Sequence, residues 1–153
     1  MTFDRALAWP KVEEYNFPMS DDGTLLIRLA GLGYADEHAE SKAPAHLIEE
    51  ARQAGVRRKI MTRGEGGFHA HFSEFPPGYV TAAHSHDHDE MIIVAEGSMR
   101  FDDGPPLGPL DTAVIHAGHS YGFTAGDDGV KFFNIRRGAT SIQMSPAGEV
   151  GEP

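Results

Sequence analysis

Apolar and polar positions change rhythm once along the chain. Residues 24–30 (TLLIRLA) form an apolar run that predicts a strand. From Pro44, the stretch AHLIEEARQA puts Leu47, Ile48 and Ala51 on one face, which predicts one short helix of about three turns. Pro44 suits its first turn, and Gly55 suits the position just past its end. From Arg57 the period becomes that of strands: RRKIMTR, FHAHFSEF, YVTAA, MIIVAE, SMRF, TAVI, SYGFT, VKFFNIR and TSIQM. The segments GEGG, PPG, DDGPP and GDDG punctuate them. Many short strands at this spacing predict an all-β sandwich, jelly roll or barrel. No internal repeat is present, so one barrel is expected. It occupies residues 57–144, after an N-terminal extension (1–56) with a strand and a short helix, and before a flexible Gly/Pro/Glu-rich tail (145–153).

Length and composition narrow the classes. A chain of 153 residues holds one domain with one core. Its 40% hydrophobic and 24% charged residues describe a globular protein. No apolar run approaches the ~20 residues that span a bilayer, and the first ten residues do not read as a secretory signal, so a cytoplasmic protein is expected. The net charge of −10 repels a phosphate backbone, which argues against nucleic-acid binding. Cysteine is absent. Disulfides, thiolate metal sites and a cysteine nucleophile are therefore excluded, and any metal must sit on nitrogen and oxygen donors, which suit Fe, Mn, Ni, Co, Cu or Zn.

The candidate chemistry lies in the histidines. Seven of the nine fall between positions 69 and 119, most densely in the run from Gly78 through His84, His86, His88 and Glu90 to Gly97. On a strand, residues i and i+2 share a face, so the His84 and His86 imidazoles can share one metal. Glu90 opens the next apolar strand, and a hairpin returns it beside them. Two imidazoles and one carboxylate are the ligand set of many open catalytic metal sites. A solvated polar loop is the plainer alternative for an isolated HxH pair.

The complete spacing is glycine, five residues, HxH, three residues, glutamate, six residues, glycine. It resembles the first signature of the cupin superfamily at every defined position. The second signature fits less well across residues 110–125. Gly118 matches, but Leu110 replaces the first glycine, His116 the proline and Ala125 the asparagine. Tyr121 stands at the position of the fourth ligand, a histidine in the pattern. Three arrangements follow. The metal has three protein ligands only; Tyr121 lies beside it as ligand, acid/base or hydrogen-bond donor; or His119, before His116, substitutes as fourth ligand. The first two are compatible and are favoured here. An unperturbed phenol has a pKa of about 10, so it ligates readily only when a metal or base lowers that value.

The resemblance covers roughly residues 57–136. It implies a double-stranded β-helix, the jelly-roll cupin barrel of six to eight strands, with the metal in its mouth. In His69-Ala70-His71 both histidines share a face opposite Phe68 and Phe72, and a surface or interface role is expected for them. His88 is expected in solvent or behind the ligands. If Glu90 points inward, so do Ile92 and Val94, leaving Met91, Ile93 and Ala95 on an apolar outer face. The N-terminal segment, the helix or a second subunit can cover that face; cupins commonly dimerise, so a homodimer is expected.

Fold does not choose among the cupin chemistries. The leading expectation is a metal-dependent enzyme acting on a small organic molecule, with one divalent metal (iron favoured) on His84, His86 and Glu90. Tyr121 would supply or orient a proton, and Phe123, on the same face, would keep the pocket dry. An Fe(II)-type dioxygenase comes first among reaction classes, because two histidines and a carboxylate recur in non-haem iron oxygenases; a metal-dependent lyase or isomerase comes next. The alternative is a non-catalytic cupin that binds a small molecule or metal.

Overall fold

The structure, a computed structural model, describes residues 23–137 and 142–146. The chain divides into two compact units, Met1–Gly33 and Tyr34–Pro153. In the first, the strand expected over residues 24–30 does not form; Leu29–Gly31 is instead a single 3-10 turn. An apolar run becomes a strand only when a neighbour's backbone captures its hydrogen bonds, and among the described residues no ladder does so.

The second unit opens with two helices, α1 (Glu37–Glu40) and α2 (Ala45–Ala54). Asp36 caps α1 by accepting from the His38 N–H. α2 lies where the apolar stripe predicts, with Pro44 before it and Gly55 beyond it in the left-handed region (φ 98°). Strands β1 (Arg57–Arg63), β2 (Phe68–Phe75), β3 (His84–Ser85), β4 (Glu90–Phe101), β5 (Pro106–Leu107), β6 (Thr112–Ile115), β7 (Phe123–Arg137) and β8 (Gln143–Met144) follow. One antiparallel sheet has the order β1-β2-β7-β4-β5, with β6 also on β4. β3 pairs with β8. The fold is an antiparallel jelly-roll barrel, as expected.

Two glycine-rich segments read as strand breaks are bulges within strands. MIIVAE and SMRF join into β4 through Gly97, and the last two residues of SYGFT join VKFFNIR in β7 through GDDG. The β4–β7 register shifts between Val94 and Glu96 and again between Gly97 and Met99. Each bulge bends its strand without ending it, which curves a flat sheet into a barrel. YVTAA forms no strand, only a bridge from Val80 to Thr124. Its backbone still runs antiparallel to residues 121–126, through Gly78 N–H to Gly126 C=O, Ala125 N–H to Tyr79 C=O and Thr81 N–H to Phe123 C=O.

The barrel interior has two ends. Ile92, Val94, Met99, Phe123, Ala125, Val130 and Phe132 form a continuous apolar core. Each of these side chains larger than alanine contributes about 1.5–3 kcal/mol on burial. Met91, by contrast, faces outward and is 40% exposed, as the alternation from Glu90 requires. Further along the same inward faces the residues become polar: Ser73 and His71 on β2, Asn134 and Arg136 on β7, and Glu90 on β4 are all buried. That polar end is the place to look for chemistry.

Candidate functional site

Sheet register builds the polar end in rows. Arg136 is paired with Glu90 on one side and His69 on the other, and Asn134 with Ile92 and His71. The histidine segment is fixed from the opposite wall. His84 N–H donates to Tyr121 C=O at 3.0 Å, Tyr121 N–H donates to His84 C=O at 2.9 Å, and Gly118 N–H donates to His86 C=O at 2.7 Å. These bonds hold His84, His86 and Tyr121 side by side whatever their side chains do. Ring centroids lie 5.0 Å apart for His84 and His86, 4.6 Å for His84 and Tyr121, and 6.3 Å for His86 and Tyr121.

The site opens into a cavity of about 470 Å³. His84, His86, Tyr121, Asn134 and Arg136 line it at the polar end; Ile92, Phe75, Phe123 and Phe132 line it towards the core. Residues of α1 and α2 line another side. α1 is tied to β1 by Glu37–Arg58, a two-point contact at 2.7 and 3.0 Å, and by Glu40–Arg63.

Glu90, 2% exposed, is the best-anchored member. Its Oε2 accepts from Asn134 Nδ2 and from Arg136 Nε, both at 2.8 Å. Burial works to raise its pKa, but the Arg136 charge and the donors of Tyr121 and Asn134 outweigh this and hold the carboxyl below its ordinary value. Its other oxygen, Oε1, is buried without a hydrogen bond among the described residues and lies 3.9 Å from His86 Nε2. His84 Nδ1 lies 2.9 Å from the Ala82 carbonyl. A carbonyl only accepts, so Nδ1 carries the proton and Nε2 keeps its lone pair. Burial lowers the His84 pKa, against the Ala82 bond and the Glu90 charge, and favours this neutral ring. Burial first, then the Glu90 charge, push the Tyr121 phenol well above its ordinary value. In the metal-free fold Tyr121 therefore keeps its proton and can donate a hydrogen bond.

These donors fit a divalent metal. His84 offers a lone pair whose ring is oriented by a carbonyl behind it, the usual outer-sphere support of a ligating histidine. Asn134 and Arg136 fix one carboxylate oxygen and leave the other as donor. Donors at ~2.1 Å from a shared ion stand up to ~4.2 Å apart, so a 3.9 Å gap between His86 and Glu90 is within its reach. Among the described residues, no three His, Asp or Glu side chains already converge as a ligand cage; the Oε2 end of Glu90 is turned to Arg136 instead.

Other expectations change. His119 and His116 are exposed and outside the cavity lining. Residues 116–119 form a turn, with Gly118 at φ 79° and His119 N–H donating to His116 C=O, and both histidines stay on the surface. His116 Nδ1 lies 3.5 Å from exposed Asp89 instead. Phe123 is buried in the cavity wall, as expected. His69 and His71 do not form a surface pair: both line the cavity, and His71 is only 9% exposed. Phe68 is exposed on the outer face and Phe72 buried there. Burial, then the charges of Arg58 and Arg136, lower the His71 pKa well below its ordinary value. Sequence reasoning also missed Asn134 and Arg136. The period-2 face Val130, Phe132, Asn134, Arg136 carried the signal, since it turns from apolar to polar without changing sides.

No family model matches the chain, and no curated protein matches it by sequence. Solved structures do resemble it in fold. The polyketide cyclase RemF from Streptomyces resistomycificus superposes with a TM-score of 0.63 at 18% identity, over 82% of this chain and 88% of its own. A sugar phosphate isomerase from a cupin superfamily, from Silicibacter pomeroyi, gives 0.62 at 21% identity, over 80% and 82%. An RmlC-like cupin from Shewanella frigidimarina gives 0.50 at 20% identity, over 56% and 78%.

Proposed function

Since the chain has the cupin fold, we propose that it is a metal-dependent enzyme acting on a small organic molecule, with His84, His86 and Glu90 holding one divalent transition metal. The observation that carries this reading is the buried Glu90 Oε1, which lacks a hydrogen bond among the described residues and lies 3.9 Å from His86 Nε2. A buried carboxylate oxygen left unsatisfied costs free energy, and a cation relieves that cost. When bound, the metal would act as a Lewis acid on a substrate oxygen and could bind dioxygen. The chain's own residues do the rest. Asn134 and Arg136 orient Glu90. Ala82 orients His84. Phe75, Phe123 and Phe132 keep the inner cavity dry, and Tyr121 holds a proton 4.6 Å (ring to ring) from His84.

An Fe(II)-type oxygenase is the first reaction class, on the two-histidine, one-carboxylate donor set. A metal-dependent lyase or isomerase is the second reading, and Tyr121 favours it. A phenol kept protonated beside the ligands is suited to delivering a proton to a substrate carbanion or enolate. The test is metal content of protein purified without chelators, for wild type, His84→Ala and Glu90→Ala. Near-stoichiometric metal in wild type, lost in both variants, is expected; metal-free wild type that takes up none on addition refutes the proposal. Oxygen uptake with diketones, catechols and flavonols then separates the two reaction classes.

A further inference from the structure

Arg136 does more than its contact with Glu90 requires. Its side chain is 8% exposed, lines the cavity, and spends one N–H, at Nε, on one carboxylate oxygen. An arginine whose task is to hold a carboxylate ordinarily uses two parallel N–H groups on both oxygens. Here Oε1 of Glu90 is turned to His86, so that fork is not made. Among the described residues the terminal nitrogens of Arg136 make no hydrogen bond, and four N–H donors are uncommitted at the cavity wall. These donors reach the cavity space, where a bound anion can take them in place of water. Two acceptors nearby, Asn134 Oδ1 and Glu90 Oε1, are buried and make no hydrogen bond among the described residues, so neither occupies the Arg136 terminal nitrogens. Glu37 and Glu40 are occupied by Arg58 and Arg63, and His71, within electrostatic reach of Arg136, is a neutral imidazole that can also donate. A metal on Glu90 would add positive charge beside Arg136, and that surplus calls for an anion.

We infer that the substrate is a small organic acid, whose carboxylate is held on the terminal N–H groups of Arg136 while its apolar body lies against the aromatic wall of Phe75, Phe123 and Phe132. The inference deepens the proposed function by naming a substrate class, and it rests on this cavity being the substrate site. It does not need the metal, which makes the two readings separable. Arg136 is in this sense a binding residue, placed so that a bound acid extends towards His84, His86 and Tyr121.

The test is calorimetric titration of chelator-treated, metal-free protein with benzoate and with its neutral counterpart benzamide. Wild type should bind benzoate at least about tenfold more tightly than benzamide, the effect of one charge-assisted contact. Arg136→Gln should abolish that preference. Because removing Arg136 also strips Glu90 of its partner and can unfold the protein, Glu90→Gln supplies a change in the opposite direction. It takes the counter-charge from Arg136, so benzoate should bind at least about tenfold more tightly than to wild type, with benzamide unchanged. Equal binding of the two probes by wild type, or no gain in Glu90→Gln, overturns the inference. Benzoate bound only after zinc is restored overturns it too, since the metal alone would then be the anion's anchor. A wild type that takes up no metal but prefers benzoate leaves this inference standing and removes the metal reading.

Discussion

The two glycines that close the HxH string share a backbone conformation but not an environment. Gly78 has φ 70° and Gly97 has φ 72°. A β-carbon on Gly78 would meet nothing within 4 Å, whereas one on Gly97 would stand 2.1 Å from the Gly129 carbonyl oxygen, 2.9 Å from its carbon and 3.1 Å from Val130 Cα. Gly78→Ala therefore carries only the cost of a left-handed alanine, about 1–2 kcal/mol. Gly97→Ala carries the same cost and must also part β4 from β7, against backbone that cannot rotate away. Overpacking of this kind adds about 1–3 kcal/mol. With a urea slope near 2 kcal/mol/M, the two midpoints should differ by ~0.5–1.5 M, Gly97→Ala being the lower. Urea titrations followed by tryptophan-independent far-ultraviolet dichroism measure this directly. Equal midpoints would refute the steric argument and leave the dihedral angle as the whole reason for both glycines.

The barrel register predicts a second contrast: Met99→Ala, inside the core, should cost about 2–5 kcal/mol, and Met91→Ala, on the outer face of the same strand, under about 1 kcal/mol, both read by urea midpoint. Tyr121→Phe should cost about 1.5–3 kcal/mol of stability, for the donor lost to Glu90, and slow turnover at least ~100-fold once a substrate is known; full activity would remove Tyr121 from the chemistry. His71 and His84 are held neutral in the fold, while an unfolded histidine protonates near pH 6.5. The unfolded state then binds more protons, so the stabilisation is complete above about pH 6.5 and is lost as the pH falls, by at most ~1.4 kcal/mol per unit for each group. Metal-free His71→Gln should show a shallower acid-side loss of urea midpoint than metal-free wild type, and an unchanged slope would refute the assignment.

Much of this was legible in the sequence, for identifiable reasons. RRKIMTR, FHAHFSEF and TAVI appear as strands with the expected limits, because alternation and flanking turn residues agree there. The helix over residues 45–54 was readable from its apolar stripe and its glycine stop. Gly97 and GDDG misled, since a glycine at positive φ marks a turn and a bulge equally well, and only the facing strand distinguishes them. The HxH spacing identified the side chains that meet in the cavity. It was silent about Arg136, which reaches Glu90 across 46 residues of sequence through the β4–β7 register. His71 was misread because an inward face that is polar looks, in sequence, like an outward one.

The reciprocal pair of hydrogen bonds between the His84 and Tyr121 backbones has an evolutionary consequence. It fixes through the backbone, not the side chain, where residue 121 enters the cavity. Tyrosine and histidine codons differ by one base. A single nucleotide change would therefore put an imidazole where the phenol stands, on an unaltered backbone. One mutational step thus separates a proton-bearing phenol beside His84 and His86 from a third imidazole.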